Sequence, residues 1–298
     1  MTDVEISRAI CSAAKLLYRA IAAPVTFATP LAAAALAVAP SGPAVAQAGP
    51  VPAWLNLPAS DAADPPNKAE NLSVIVTATD AAGRSPADPG FAGASRGGEC
   101  RVFLAGPLPV GNSELYDRAF AHLDEVVRAS GGVNALIKTP ERIPAAHIWG
   151  DANAPWRCIA GTIYNVQAAG YPTVGFAFKG VAAGGGPQAP HVAYLGLPVP
   201  VAGNPPAAVN KIVLTAQDKI LWNGHEIAPA ALRAMLEQVA NLLPQPKLEF
   251  APETDVGYGF SAMVLGLISG SDVAGVHFID SEKYRVFGTA SPAAASQP

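Results

Sequence analysis

Short apolar runs broken by glycine and proline fall in the same order twice along this chain. From Leu72, Val74, Val76 and their β-branched neighbours predict a strand ending at Asp80. Residues 84–99, full of Gly, Pro and Ser, predict a loop, and 102-VFLAG-106 a second strand. Leu115, Ala119, Leu123 and Val126 then recur at helical spacing behind a cap at Asn112 or Ser113, with Gly131-Gly132 as the stop. A strand over 146–149 follows. Pro155 opens a second helix with Ile159, Ile163 and Val166 on its apolar face, and Gly170 ends it. The run 173-TVGFAF-178 closes the series as a strand.

The order restarts after residues 180–210, which read as a Gly/Pro-rich linker. A strand over 212–215 leads through Asp218 to 220-ILWNG-224. Pro229 opens a helix carrying Leu232, Met235, Leu236, Val239 and Leu243. Strand 248-LEF-250, a helix over about 259–269 and strand 275-GVHFI-279 complete it. Thr77, Ala78 and Asp80 match Thr215, Ala216 and Asp218. Without a gap, 147–178 then aligns with 249–280, setting Asp151 against Glu253, Trp156 against Tyr258, and Val174 and Phe176 against Val276 and Phe278. The expected fold class is α+β: two tandem small β-β-α-β-α-β two-layer sandwich domains, each with one sheet face or edge free. Their expected bounds are 72–179, with a loop insertion at 84–99, and 211–281. Units this small gain from pairing, which would bury more surface.

The flanks predict something else. Arg8, Lys15 and Arg19 precede an uncharged run over 20–39, and Ala44-Val45-Ala46 offers small residues for cleavage. These are the parts of a secretory signal peptide, 1–46, processed after Ala46; an uncleaved membrane anchor is the alternative. Pro24, Pro30 and the many alanines weigh against a stable span. Residues 47–71 read as a flexible tether and 282–298 as a disordered tail. Export favours a Cys100–Cys158 disulfide, the third cysteine, Cys11, lying in the signal; two separately buried thiols are the alternative. The net charge of −4 and the lack of a basic cluster argue against nucleic acid and anionic membrane surfaces as partners.

The second series resembles the periplasmic domain of the ExbD/TolR biopolymer-transport family. The likeness lies in 212-IVLTAQDKILWNGHEI-227, the helix from Pro229, and 248-LEFAPETDVGYGFSAMVLGLISGSDVAGVHFI-279. Asp218 holds the acidic turn, Asn223-Gly224 the strand end, Glu253 the acid after a strand, and Tyr258 the helix start. The first series shares this likeness more weakly. The resemblance implies a periplasmic cell-envelope protein that binds other envelope proteins, among them a motor or channel subunit of the inner membrane. The family's proton-handling Asp on an N-terminal span has no counterpart, because 20–60 contains no acidic residue. A transport subunit lacking that Asp is the anchored version of this reading.

Candidate chemistry is sparse. The stretch 93-GASRG-97 matches a nucleophile elbow and raises a secreted hydrolase using Ser95, but it lies in the loop rather than between a strand and a helix. His122 and His147 are isolated, and His225-Glu226 follow a turn and should be exposed. No metal-ligand spacing or nucleotide loop occurs, so no catalytic residue, metal or small-molecule cofactor is expected. The expectation is a non-enzymatic binding protein that engages envelope proteins or self-associates. Trp149, Asp151, Trp156, Trp222, Glu253 and Tyr258 are its candidate contact residues.

Overall fold

A computed structural model describes residues 52–59, 70–104, 108–181, 187–197 and 208–287. The leader expected at 1–46 lies outside them. The fold is α+β, with two five-stranded mixed sheets. The first sheet contains β1 (Leu72–Ala78), β2 (Cys100–Phe103), β3 (Ala146–Gly150), β4 (Thr173–Val181) and β5 (Pro187–Gly196), in the order β2-β1-β3-β4-β5. The second contains β6 (Val209–Leu214), β7 (Ile220–Trp222), β8 (His225–Ile227), β9 (Lys247–Phe250) and β10 (Val276–Phe278), in the order β8-β7-β6-β9-β10.

Four strands of each sheet share one topology. β2-β1-β3-β4 runs antiparallel, parallel, parallel, and so does β7-β6-β9-β10. Each sheet then adds a fifth strand at the opposite edge. The hairpin β7–β8 turns on Asn223 and Gly224, whose φ values of 51° and 87° belong to a tight turn that Asn-Gly tolerates best. β5 pairs antiparallel with β4. The linker expected over 180–210 is therefore corrected for 187–196, which form the edge strand β5, and at its margins, where β4 runs to Val181 and β6 begins at Val209.

Among the described residues are five α-helices. α1 (Asn112–Ala129) and α3 (Trp156–Ala168) pack on each other and α3 packs on the first sheet. α4 (Pro229–Ala240) and α5 (Tyr258–Ser269) are their counterparts. The short α2 (Val133–Ile137) was not foreseen, because Gly131-Gly132 reads as a stop rather than a restart. No helix among the described residues is long and apolar enough to cross a membrane.

The two halves meet at equivalent helix starts. Trp156 N–H donates to the Val256 carbonyl and Tyr258 N–H to the Ala154 carbonyl, both at 2.8 Å, while Pro155 and Gly257 form an antiparallel bridge. Each bond is the other with the halves exchanged, as across a two-fold axis. The aromatic side chains are exchanged as well. Trp156 packs on Phe250 and Phe278 of the second sheet, with ring centroids 5.3 and 6.1 Å away, and Tyr258 packs on Phe176 of the first at 6.4 Å. Phe176 and Phe278 touch at 6.2 Å, so one apolar core runs through both sheets.

Chain segments outside the sheets lace the halves together. The C-terminal stretch expected to be disordered is corrected for 282–287. A 3-10 turn over Ser281–Tyr284 crosses α3, Phe287 is buried there, and Asn165 Nδ2 donates to the Arg285 carbonyl at 3.2 Å. Gly161 makes the crossing possible, since a Cβ at that position would overlap the Tyr284 carbonyl oxygen. Gly161→Ala is expected to cost about 1–3 kcal/mol. It should also expose the segment after Ile279 to protease, and undiminished protection there would refute this account of the crossing.

Candidate functional site

The first candidate surface is the sheet face turned away from the helices. Alternation along the strands sends Val74, Val76 and Ile148 into the core and turns Ile75 and Trp149 outward. Ile75 is the register partner of both Phe103 and Trp149, and Ala177 is the partner of Val192, so an apolar row crosses the sheet. The segment Pro52-Ala53-Trp54-Leu55-Asn56-Leu57-Pro58 lies over this row. Leu55 and Leu57 are buried against Ile75, Trp149, Ala177 and Val192, and Trp54 packs on Phe103 with centroids 5.8 Å apart. Main-chain bonds fix the C-terminal half of the segment: Ala152 N–H donates to the Asn56 carbonyl and Lys179 N–H to the Pro58 carbonyl, each at 2.7 Å. The flexible tether expected over 47–71 is thus corrected for 52–59, which form an ordered strap. The alternating Leu55 and Leu57 between two prolines were the missed signal.

Asp151 lies beneath this strap. It is 1% exposed, and its carboxylate accepts N–H bonds from Asn153 at 2.9 Å and Asn56 at 3.3 Å. Burial raises its pKa, against the pull of those two bonds. Asp151, Trp156 and Tyr258 were expected to contact partners, and all three are buried instead. Trp149 and Trp222 are half-buried, and the Trp149 ring lies under the strap. Glu253 alone of the six is exposed, and its Oε2 accepts the Ala216 N–H at 2.7 Å. The repeat pattern set Trp156 against Tyr258, and each is the first residue of a helix, α3 and α5. It could not tell burial in the other half's core from exposure.

The loop insertion is an organised structure around Asp80. This side chain is 2% exposed and accepts bonds from the N–H groups of Ala82, Arg84 and Ala92 and from Arg84 Nε at 2.8 Å. Burial alone would raise its pKa, but these donors hold it at about 2. The loop then reaches the other half. Arg96 pairs with Asp218 at 3.1 Å, and Arg157 donates to the Arg96 and Gly98 carbonyls while pairing with Asp255. Ser95 lies within this loop, its N–H bonded to the Thr79 carbonyl, and strand β2 follows rather than a helix. Strand–turn–helix elbow geometry is therefore not formed at Ser95. Cys100 and Cys158 are joined in a disulfide that fastens the start of β2 to α3.

The histidines do not converge. His122 Nδ1 bonds the Tyr171 hydroxyl at 2.7 Å and His147 Nε2 bonds the Tyr194 hydroxyl at 2.9 Å, while His225 and Glu226 are exposed on β8. Burial lowers the His147 pKa from 6.5 to about 4. The neutral imidazole is thus the form the fold prefers, and its contribution is complete above pH 6.5 and lost as pH falls toward 4. That loss is expected to be about 1–3 kcal/mol. Urea unfolding across this range should show it, and His147→Gln should flatten the slope; an unchanged slope would remove His147 as the cause. Among the described residues no group of three or more His, Cys, Asp or Glu is placed to hold a metal ion.

Comparison with known proteins adds no relative: no protein-family model, curated protein or solved structure matches the chain.

Proposed function

We propose that this chain is an exported cell-envelope protein in which two ExbD/TolR-like units, 72–179 and 211–281, have been fused face to face to bind protein partners. The observation that carries the reading is the repeated topology: β2-β1-β3-β4 and β7-β6-β9-β10 share strand order and directions. The reciprocal placement of Trp156 and Tyr258 supports it, because a duplicated unit fused to itself inherits a two-fold contact. Partners of this chemistry are envelope proteins, including a channel or motor subunit of the inner membrane. Proton coupling is left to such a partner, since 20–60 carries no acidic residue.

Tagged full-length chain expressed in a Gram-negative host tests this directly. The expected product is a periplasmic species whose intact mass begins after Ala46 and which crosslinks to envelope proteins. A cytoplasmic species with Met1 retained would sink the export claim, and a membrane-bound one would replace it with the anchored subunit. Turnover of esterase substrates lost in Ser95→Ala would overturn the binding role in favour of a hydrolase.

A further inference from the structure

The strap's row on the first sheet has a counterpart on the second that no described residue covers. Position by position, Val213 corresponds to Ile75, because Thr215 and Asp218 correspond to Thr77 and Asp80. Leu221 is the register partner of Val213, as Phe103 is of Ile75. Ala251 corresponds to Trp149 and Ile279 to Ala177; they follow Phe250 and Phe278, which are register partners in the same sheet. Leu221, Val213, Ala251 and Ile279 thus form a second apolar row across adjacent strands. All four are partly exposed, and none packs into the joint core or the cluster under the strap. The ion pairs Lys219–Glu226 and Lys247–Glu249 give the row a polar rim.

The anchoring point is repeated too. On the first sheet the strap's Asn56 donates its N–H to Asp151, whose own N–H donates to the Val76 carbonyl. The Glu253 N–H makes the equivalent bond to Leu214, and its carboxylate is exposed. One of its oxygens takes the Ala216 N–H, and a carboxylate has acceptor capacity for more than one donor. The second face therefore offers an apolar row and an acceptor in the arrangement that holds Trp54-Leu55-Asn56-Leu57.

We propose that the row Leu221–Val213–Ala251–Ile279 docks an extended, proline-bounded apolar segment of a partner protein. Its chemistry is that of residues 52–58, and its main chain donates to Glu253. This rests on reading the chain as a binding protein but on no particular envelope system. A partner is favoured over a second copy because each copy's strap is tethered beside its own first sheet at high effective concentration. Lending it out would uncover the row it protects.

The test uses the full chain and a fluorescein-labelled peptide, Pro-Ala-Trp-Leu-Asn-Leu-Pro-Ala, read by anisotropy. The expected result is saturable binding at one site, weakened at least tenfold by Val213→Asp and severalfold by Glu253→Ala. Leu221→Lys should act like Val213→Asp, and thermal melts identify whichever of the two keeps the fold. No saturable binding to the unmodified chain, or equal binding of a scrambled peptide, overturns the proposal. So does binding that ignores Val213→Asp and Leu221→Lys but strengthens in Trp54→Ala, which would place the peptide on the first sheet by exchange with the strap. A dimer seen by sedimentation and lost in Val213→Asp would assign the face to a second copy instead, also overturning it. Peptide binding in vitro does not depend on export, so failure here and failure of the envelope reading are distinguishable.

Discussion

Replacing Trp156 by alanine should remove about 3–5 kcal/mol of unfolding free energy, the range for truncating a large buried aromatic. The side chain is 1% exposed and lies between Phe250 and Phe278, so the loss falls on the second sheet although Trp156 begins a helix of the first half. Both halves should weaken together, as one urea transition with a lower midpoint and a melting temperature down by roughly 10 °C for a body of this size. Two separated transitions, or a loss under about 1 kcal/mol, would contradict the joint core. Tyr258→Phe should behave oppositely. The Tyr258 hydroxyl is buried without a hydrogen-bond partner among the described residues, so deleting it removes a desolvation cost, and the variant should match or exceed the parent by up to about 1 kcal/mol.

Removing the Cys100–Cys158 disulfide should have an effect of similar size. The cysteines are 58 residues apart in sequence, and cross-linking a loop of that length restricts the unfolded chain by about 4 kcal/mol on the chain-entropy account. A Cys100→Ala/Cys158→Ala double variant is expected to lose about 2–4 kcal/mol in guanidinium unfolding. Intact, unreduced protein should be two hydrogen atoms lighter than its reduced form and resist alkylation. An oxidised protein no more stable than the double variant would show that the link contributes nothing.

What could be read from the chain depended on how local each signal was. Pro155, Pro229 and Gly170 mark helix ends through their own backbone preferences, and the helices begin and end within a residue or two of them. Thr-Ala-x-Asp lies at or just after the end of β1 and of β6, so Asp80 and Asp218 each follow a strand that pairs antiparallel with the next one. β5 was hidden by Pro187 and Pro190, which argue against a central strand but are tolerated at a sheet edge, where β5 lies. The crossing of 281–287 over α3 left no periodic trace, since it depends on one small residue, Gly161, more than a hundred positions away. The exchange of Trp156 and Tyr258 was equally invisible. A helix stripe buried in its own half and one buried in a neighbour's have the same spacing.

The covered row on the first sheet also determines how the molecule answers a pull. The strap precedes β1 and is held by Asn56 and Pro58 main-chain bonds at its margin. β1 is paired on both sides, to β2 and β3, and β2 is bonded covalently to α3. Tension entering from the N-terminal side would therefore peel the strap first, then meet β1 as a strand that must slide past two neighbours at once. The strap yields before the sheets do, so force would bare the first row while leaving both sheets intact.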